Sequence, residues 1–511
     1  MGTYLAKVKA VKRVGHIIID FLAQIEDFQK KLWLKKKFVV ETNWCMTLDR
    51  IDESFWPEII ANPAQIQEWI EMYAIDEVEG DLTTVGWTNP PTVEFLRQNQ
   101  NLVVDTKHFS TDFKDRLVAS IEDLDEQTDG LMVNGDNFHA LNIMKAKQVN
   151  SIDCVYIDPP YNANSSEILY KNTFKHSAWL SLMHNRLTVS KSFMKERAVL
   201  VCAIDEVEQE RLGMLLNEVY PTENLEKTCV TVVHNPSGQQ GDNFSATHEY
   251  AYFVYPVPGR SIAEQLRENP EDWDKRGLRD VTGNESLRSA AKTCFYPILI
   301  KNGKVIGFGD VCDDNYHPPI NVIRNDGIIE VYPIDPQGIE RKWRFGRETV
   351  PSIQDQLIAN YIKNRNVWDI QRLKKSFNFK TVWQAPKYSA NNYGTQILNQ
   401  MFYSSPFTYP KSIYTVMDCI FAGSNGNKEA RILDFFAGSG TTGHAVIEQN
   451  RLDNGNRKYI LVEMGTYFNT ATHPRIKKTV YSSDWKDGKP TSRDTGVSHI
   501  MKYFSLEDFH D

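Results

Sequence analysis

The sequence predicts an α/β protein in which a doubly wound sheet of parallel strands is interrupted by an inserted segment. Two stretches carry this pattern: between about residue 130 and residue 255, and again from about residue 396 onward, short apolar runs alternate with amphipathic segments. The residues between the two stretches are rich in turns and lose the alternation. We therefore expect the two stretches to fold together and complete a single sheet.

The spacing of apolar residues predicts the individual elements. The first stretch contains strands at residues 152–157, 199–204 and 250–255, and helices at residues 179–194 and 207–220. The second stretch contains a helix at residues 413–421, a strand at residues 432–435, a helix starting at residue 441 and a strand at residues 459–463. The turn-rich segment contains strand-like pieces at residues 304–308 and 328–332.

A chain of 511 residues is longer than a single hydrophobic core usually supports, so several domains are expected. The predicted parts are a mainly helical N-terminal region with a short strand at residues 38–40 (1–125), the first half of the α/β domain (126–255), an inserted segment (256–395) and the second half of the α/β domain (396–511).

Composition narrows the class of protein. Seven scattered cysteines form no C-x-x-C pair, which argues against a zinc site or a disulfide framework and for a reducing compartment. We find no apolar run long enough to span a membrane and no signal peptide, so we expect a cytoplasmic protein without a membrane partner.

The net charge of −8 neither indicates nor excludes binding to nucleic acid, since phosphate contacts depend on local fields. Basic runs lie at residues 30–37, 341–347 and 372–375. In the middle run arginines alternate with aromatic residues, a pattern that suits phosphate contacts and base stacking. A solvated surface remains the alternative for each run.

One candidate site is the glycine-rich turn in ILDFFAGSGTTGHAV, residues 432–446. The spacing of Gly438 and Gly443 is that of a P-loop, but His444 and Ala445 stand where a P-loop needs Lys and Ser or Thr. A nucleoside triphosphate is therefore disfavoured as the ligand.

What remains is the geometry of a strand that ends at Asp434, a glycine turn and a helix that starts near Thr441. Glycines let a ligand approach the backbone, and such turns at the end of a parallel strand bind nucleoside-like cofactors. A tight turn without any ligand remains the alternative.

A second candidate site is Asp158-Pro159-Pro160-Tyr161, which follows the strand predicted at residues 152–157. Two prolines stiffen the loop and leave carbonyl acceptors beside the Asp158 carboxylate. Two such acceptors can hold both N–H groups of an exocyclic base amine while positive charge develops on its nitrogen. Tyr161 offers a flat ring on which a flipped base can stack.

These two motifs resemble those of the amino-methylating DNA methyltransferases, which pair a D-P-P-Y loop with an F-x-G-x-G loop for S-adenosylmethionine. The catalytic motif precedes the cofactor motif here, in the permuted beta-type order. A finer resemblance, to the modification subunits of type III restriction systems, lies in residues 28–38, 161–187, 247–250, 380–383 and 407–412.

The resemblance implies a Rossmann-like, S-adenosylmethionine-dependent methyltransferase sheet with an inserted target-recognition segment. It implies catalytic roles for Asp158, Pro159, Pro160 and Tyr161. The residues expected to bind the cofactor are Asp434, Phe436, Gly438, Gly440 and Thr441 of the glycine turn, Glu463 on the ribose hydroxyls, Lys411 beside the methionine portion and Asp136 near the adenine. We interpret His248 and Glu249 as structural and leave Asp205 open.

The expected function is site-specific transfer of a methyl group from S-adenosylmethionine to adenine N6 of a flipped base in double-stranded DNA, with no metal required. Asp158 favours adenine, because the cytosine-N4 enzymes more often carry serine there. The alternatives are a cytosine-N4 enzyme, an RNA or protein-amide N-methyltransferase, and a non-catalytic DNA-specificity subunit. The inserted segment argues for DNA, since sequence-specific binding needs a recognition module.

We find no Walker motif, helicase signature or nuclease cluster in the sequence, so restriction would need a partner subunit that carries helicase and nuclease activity. The sequence leaves open whether this partner exists and whether the chain forms a homodimer. Both ends look shortened relative to the type III family, and the sequence leaves open whether the chain is a full-length or a shortened family member.

Overall fold

The computed structural model describes residues 2–33, 37–81, 83–162, 175–221, 223–238, 243–267, 269, 271 and 273–507. Part of the basic run at residues 30–37 and part of the resemblance at residues 161–187 lie outside these ranges. The chain divides into two compact units, the first formed by Met1–Ala263 with Lys380–Asp511 and the second by Glu264–Phe379. The second unit falls inside the predicted inserted segment, and its role in target recognition stays a prediction.

The described ranges contain thirteen α-helices. They are α1 (Gly2–Trp33), α2 (Trp56–Ile60), α3 (Pro63–Tyr73), α4 (Val93–Gln98), α5 (Thr111–Ala119), α6 (Leu124–Gln127), α7 (Asn137–Gln148), α8 (Lys175–Ser190), α9 (Gln209–Val219), α10 (Gln396–Phe402), α11 (Ile413–Gly423), α12 (Thr441–Asp453) and α13 (His473–Tyr481). In the described ranges no helix is both long and apolar enough to cross a membrane.

The strands of the first unit are β1 (Val39–Thr47), β2 (Val103–Asp105), β3 (Gly130–Asn134), β4 (Ile152–Ile157), β5 (Met194–Ile204), β6 (Leu225–Val232), β7 (Glu249–Pro256), β17 (Val382–Trp383), β18 (Arg431–Asp434), β19 (Lys458–Glu463), β20 (Trp485–Lys486), β21 (Lys489–Pro490) and β22 (Ile500–Leu506). Those of the second unit are β8 (Glu264–Leu266), β9 (Asp274–Gly277), β10 (Ile298–Lys301), β11 (Lys304–Phe308), β12 (Asn321–Ile323), β13 (Ile329–Val331), β14 (Leu357–Ile362), β15 (Val367–Lys374) and β16 (Ser376–Asn378).

The first unit is built on an eleven-stranded sheet in the order β17-β6-β7-β5-β4-β18-β19-β3-β22-β1-β2. The six strands from β5 to β22 run parallel, whereas β7 lies antiparallel to both β5 and β6. Strand β18 pairs with β4 on one side and β19 on the other, so the two halves of the α/β pattern complete one sheet. The predicted fold class is confirmed, with antiparallel strands added at both edges.

Helices cover both faces of this sheet. Successive side chains of a strand point to opposite faces, so strands that are apolar throughout need cover on both sides. Val155 and Leu200 belong to a core that α7, α8 and α9 also line. Their neighbours Cys154 and Val201 point the other way, toward Gly423 at the end of α11, where a Cβ would lie 2.8 Å from Cys154 Sγ. The sheet is thus buried on both sides, which explains its continuous apolar strands.

The N-terminal region adds its own strands to the sheet, a feature that the sequence analysis did not predict. β1 extends well past the predicted residues 38–40 because its second half is buried between β22 and β2. Farther along the chain, Lys477 of α13 lies 2.9 Å from Asp105 and 2.7 Å from Glu68. Cys45 and His473 lie beside Asp105. Because Lys477 already supplies a cation to both carboxylates, we interpret this cluster as a buried ion-pair network.

The second unit has a four-stranded sheet, β11-β10-β13-β12, and a three-stranded sheet, β14-β15-β9. Trp343 lies at the centre of its core, fully buried, and donates its indole N–H to the Tyr296 carbonyl at 2.8 Å. Arg341 pairs with Asp335 at 2.8 Å. In the basic run 341–347 the Trp343 ring is therefore not exposed for base stacking, contrary to the sequence-based interpretation, whereas Arg344 is exposed.

Candidate active site at the ends of β4 and β18

The two predicted loops leave the sheet side by side. Strands β4 and β18 are parallel neighbours, with Cys154 opposite Ile432 and Val155 opposite Leu433. The D-P-P-Y loop follows β4 and the glycine turn follows β18, so both open at the same edge of the sheet. Clefts at the carboxyl ends of parallel strands are the usual ligand sites of such folds.

A buried cluster of four side chains, which we call the carboxylate–lysine cluster, surrounds the D-P-P-Y loop: Asp158, Tyr161, Glu249 and Lys411. Lys411 Nζ lies 3.4 Å from Asp158 Oδ1 and contacts Glu249 Oε2 and the Tyr161 hydroxyl. Tyr161 donates its hydroxyl to Glu249 at 3.1 Å, and the Lys411 ammonium lies 4.3 Å from the Tyr161 ring centroid. Lys411, expected beside the cofactor, thus contacts the catalytic motif.

Burial and charge set the protonation of this cluster. Burial raises the pKa of Asp158, and the Glu249 charge raises it further, while Lys411 opposes both effects. Burial alone would also raise the pKa of Glu249, but the charges of Lys411 and His234 and the hydrogen bonds that Glu249 accepts together hold that pKa below its usual value. Burial would lower the pKa of Lys411, yet its two carboxylate partners raise it instead. The Lys411 ammonium is therefore the group that favours the ionised form of both acids.

Hydrogen bonds of two buried side chains, Trp179 and Glu208, hold the D-P-P-Y loop and the residue that follows it. Buried Trp179 of α8 donates its indole N–H to the Pro160 carbonyl at 2.7 Å. After the motif, Asn162 adopts a left-handed conformation with φ of 61° and donates to Glu208, which is fully buried. These contacts fix the orientation of the loop that presents the Asp158 carboxylate.

The glycine turn needs its glycines for conformation. Gly438 has φ of +53° and Gly440 has φ of +80°, a region that favours glycine. A Cβ on Gly440 would also lie 3.2 Å from the Thr472 carbonyl oxygen. Thr472 in turn donates its hydroxyl to the Gly438 carbonyl at 2.6 Å, so the turn is clamped against the segment before α13.

Two carboxylates organise the glycine turn. Asp434 accepts the Phe436 amide at 2.9 Å and the Thr442 hydroxyl at 2.5 Å. Burial raises the pKa of Asp434 to about 7. Glu463, at the end of β19, accepts the amide of Gly438 at 2.8 Å. It also accepts the amides of Met464 and Gly465. Burial raises the pKa of Glu463, although these amides oppose the rise.

The remaining predicted residues lie around the same turn. Phe436 is half-buried against the core, and Thr441 opens α12 with its hydroxyl 3.1 Å from that of Ser439. Asp136 caps α7, accepting amides at 3.0 and 3.2 Å, and its other oxygen lies 3.1 Å from Arg186. Its carboxylate is therefore engaged in capping α7 and in the ion pair with Arg186, and its expected contact with an adenine remains a prediction.

Other residues of the site escaped the sequence analysis. Glu249, interpreted as structural, contacts Tyr161 and Lys411. Its position at the start of β7, beside β5, was the available signal. Phe407 and Tyr467 pack edge to face, with ring centroids 5.1 Å apart, against the Gly438 and Glu463 side of the turn. Asp205 accepts the Val207 amide at 3.0 Å, and burial raises its pKa to about 6.

Comparison with known proteins agrees with this geometry. A family described as "DNA methylase" matches residues 152–472. The chain is 28% identical over 394 residues to the type III restriction-modification enzyme EcoPI Mod subunit of Escherichia phage P1, covering 67% of this chain and 59% of the relative. It is 29% identical over 395 residues to the type II methyltransferase M.KpnI of Klebsiella pneumoniae, covering 72% of this chain and 87% of the relative.

The chain spans only part of the type III relatives, since its match to the EcoP15I Mod subunit of Escherichia coli, at 24% identity, covers 65% of this chain and 58% of the relative. The family match begins at β4, includes both loops of the site and ends at Thr472, the residue that clamps the glycine turn. Since that match spans more than half of the sequence, the chain belongs to the DNA methylase family.

Proposed function

We propose that this protein is a site-specific DNA methyltransferase that transfers a methyl group from S-adenosylmethionine to adenine N6 of a flipped base in duplex DNA. The observation that carries the proposal is the placement of the Asp158 carboxyl group, beside the Lys411 ammonium, at the strand end next to the glycine turn. Membership of the DNA methylase family supports DNA as the methyl acceptor.

The glycine turn fits S-adenosylmethionine. Its positive φ angles leave the backbone open to a ligand, Glu463 ends the neighbouring strand where a diol can be received, and Phe407 and Tyr467 supply aromatic surface. The turn carries neither the lysine nor the hydroxyl that a nucleoside triphosphate requires after its last glycine. When bound, S-adenosylmethionine supplies an electrophilic methyl group that needs no metal for its transfer.

The chain's own residues act on the amine. The Asp158 carboxylate and the Pro159 carbonyl accept its two N–H groups, since the Pro160 carbonyl already accepts from Trp179. These acceptors draw the nitrogen lone pair out of conjugation and stabilise the positive charge that develops on nitrogen. Lys411 favours the ionised form of Asp158, Tyr161 stacks on the flipped base, and the methylated amine then loses a proton to Asp158 or to water.

The assembly follows from the type III relatives. We propose that the second unit reads the DNA target, and that a restriction subunit with helicase and nuclease activity is the partner where cleavage accompanies modification. Two copies of the chain would form a dimer on the DNA. The resemblance to restriction-modification methyltransferases also supports a cytoplasmic location.

The direct test is incubation of the purified chain with S-adenosylmethionine labelled in its methyl group and with DNA, RNA or protein as acceptor. We expect label in duplex DNA alone, recovered as N6-methyladenine after digestion to nucleosides, and none with Asp158→Ala. Label in RNA or protein, or DNA binding without any transfer, would instead support one of the competing functions.

A further inference from the structure

Arg475 of α13 is a buried cation placed directly behind the glycine turn. Its side chain is fully buried. Nη1 donates to the Ser439 hydroxyl at 2.9 Å and to the Thr441 hydroxyl at 2.8 Å, and Nε donates to His444 Nδ1 at 3.1 Å. One guanidinium therefore holds the last part of the turn and the first turn of α12.

This guanidinium has no anionic partner within the described ranges. No carboxylate there lies within 4.0 Å of it, and Nη2 is buried without a hydrogen-bond partner. The nearby carboxylate of Glu448 contacts Arg451 and lies 3.6 Å from His444. Burial lowers the pKa of Arg475 to about 9, which leaves it charged at neutral pH. An unpaired buried charge is costly to a fold, so such a charge is expected to have a counterpart.

Arg457 shows the ordinary arrangement in the same unit. It is as deeply buried as Arg475, but it pairs with Asp453 through both of its terminal nitrogens, at 2.9 and 2.8 Å. A carboxylate is thus what the fold supplies for a buried guanidinium elsewhere. At Arg475 the described chain supplies only hydroxyls, a carbonyl and a neutral imidazole.

The surface of the turn in front of Arg475 is suited to an anion. Among the residues that the structure describes, no side chain caps α12, so the amides of its first turn are available to a ligand, and a helix N-terminus favours negative charge. A guanidinium only donates, so the oxygens of Ser439 and Thr441 both accept from it. The two hydroxyls carry two protons. If one proton is used in the hydrogen bond between Ser439 and Thr441, the other hydroxyl can still donate its proton to a ligand at the turn. Hydrogen bonds in such chains strengthen one another.

We propose that Arg475 is the positioning residue for the carboxylate of the cofactor's amino-acid portion, acting through Ser439 and Thr441, and that it makes the glycine turn select ligands that carry this carboxylate. The inference rests on the proposed function, since it takes S-adenosylmethionine as the ligand. The missing anion of the buried charge is then the carboxylate of the ligand, which lies near this guanidinium only when the cofactor binds.

The test compares two ligands that differ in this one group, S-adenosylmethionine and its decarboxylated form, by titration calorimetry with the full chain. The wild-type protein should bind the carboxylated ligand about 10- to 100-fold more tightly, the range for hydrogen bonds to a charged group. Arg475→Met should bring this ratio to within about threefold. Arg457→Met is the matched control, expected to lower thermal stability while leaving the ratio unchanged.

Two further variants cover the case in which Arg475→Met does not fold. Arg475→Lys keeps the charge but loses the guanidinium that donates to several partners at once, and Thr441→Val keeps the shape but loses a hydroxyl. Each variant should lower the ratio of the two affinities several-fold. A full wild-type ratio in the folded variants would overturn the role of Arg475 and leave the proposed function intact. Failure of the wild-type protein to bind either ligand would instead refute the cofactor assignment itself.

Discussion

Substitution of Lys411 by methionine removes the one ammonium that the described residues place within 4.0 Å of both Asp158 and Glu249. Methionine keeps most of the apolar stem and loses the charge. The two carboxylates then face each other without a cation, and the pKa of Asp158, already raised by burial, must rise further. Since the ionised form of Asp158 stabilises the positive charge that develops on the amine nitrogen, the loss should depend on pH.

The magnitude follows from the geometry. Two unit charges 3.4 Å apart interact by about 5 kcal/mol at an effective dielectric constant of about 20. The Asp158 side chain is 26% exposed, so water screens part of this, and we retain about 1.5 to 3 kcal/mol. At about 1.4 kcal/mol per unit, the pKa of Asp158 should rise by roughly one to two units.

The assay is kcat/KM for methylation of a short duplex as a function of pH. The wild-type protein loses activity as the pH falls through the pKa of Asp158, and in Lys411→Met this acidic limb should move up by one to two pH units. Activity should therefore fall about 10- to 100-fold at a pH below both limbs and recover at higher pH. Lys387→Met, which removes an ion pair with Asp418 at 2.6 Å, is the control and should leave the limb in place. An equal loss at every pH would refute the reasoning.

Three further predictions concern the two loops. Trp179→Phe removes the N–H donated to Pro160 and should lower kcat about tenfold with unchanged cofactor affinity, measured by steady-state kinetics and calorimetry. Gly438→Asp should abolish S-adenosylmethionine binding without unfolding the second unit, as followed by calorimetry and limited proteolysis; undiminished affinity would exclude this turn as the site. Burial raises the pKa of Asp434 to about 7, above about 4 for an unfolded aspartate, so its stabilising contribution is full below pH 4 and is lost as the pH rises through 7. Asp434→Asn should flatten that decline in thermal unfolding between pH 5 and 8, and an identical decline in both proteins would contradict the assignment.

Apolar periodicity was enough to predict four of the six parallel strands, β4, β5, β18 and β19, but not β3. β4 spans the predicted residues 152–157, and α12 starts at Thr441 as expected, because a buried strand and a glycine turn leave strong local signals. β22 was not predicted. Its residues Ile500–Leu506 mix buried and half-buried positions, and their pairing with β1 and β3 depends on segments far away in the chain.

The same distinction holds for the site. The two loop motifs are contiguous in sequence and could be found there. The contact of Lys411 with Tyr161 of the D-P-P-Y loop could not be found in the sequence, because it joins residues 250 positions apart. Arg475 was hidden for a different reason: an arginine in a helix with two adjacent lysines has the pattern of a solvated face, and only packing shows that it is fully buried.

We propose that the Asp158 loop and the glycine turn together methylate adenine in DNA. The most direct measurement is mass spectrometry of nucleosides from the DNA of a host that lacks this modification and expresses either the wild-type chain or Asp158→Ala. We expect N6-methyladenine in DNA from the host that expresses the wild-type chain and none in DNA from the host that expresses Asp158→Ala. N4-methylcytosine in place of N6-methyladenine, or equal N6-methyladenine from both proteins, would contradict it.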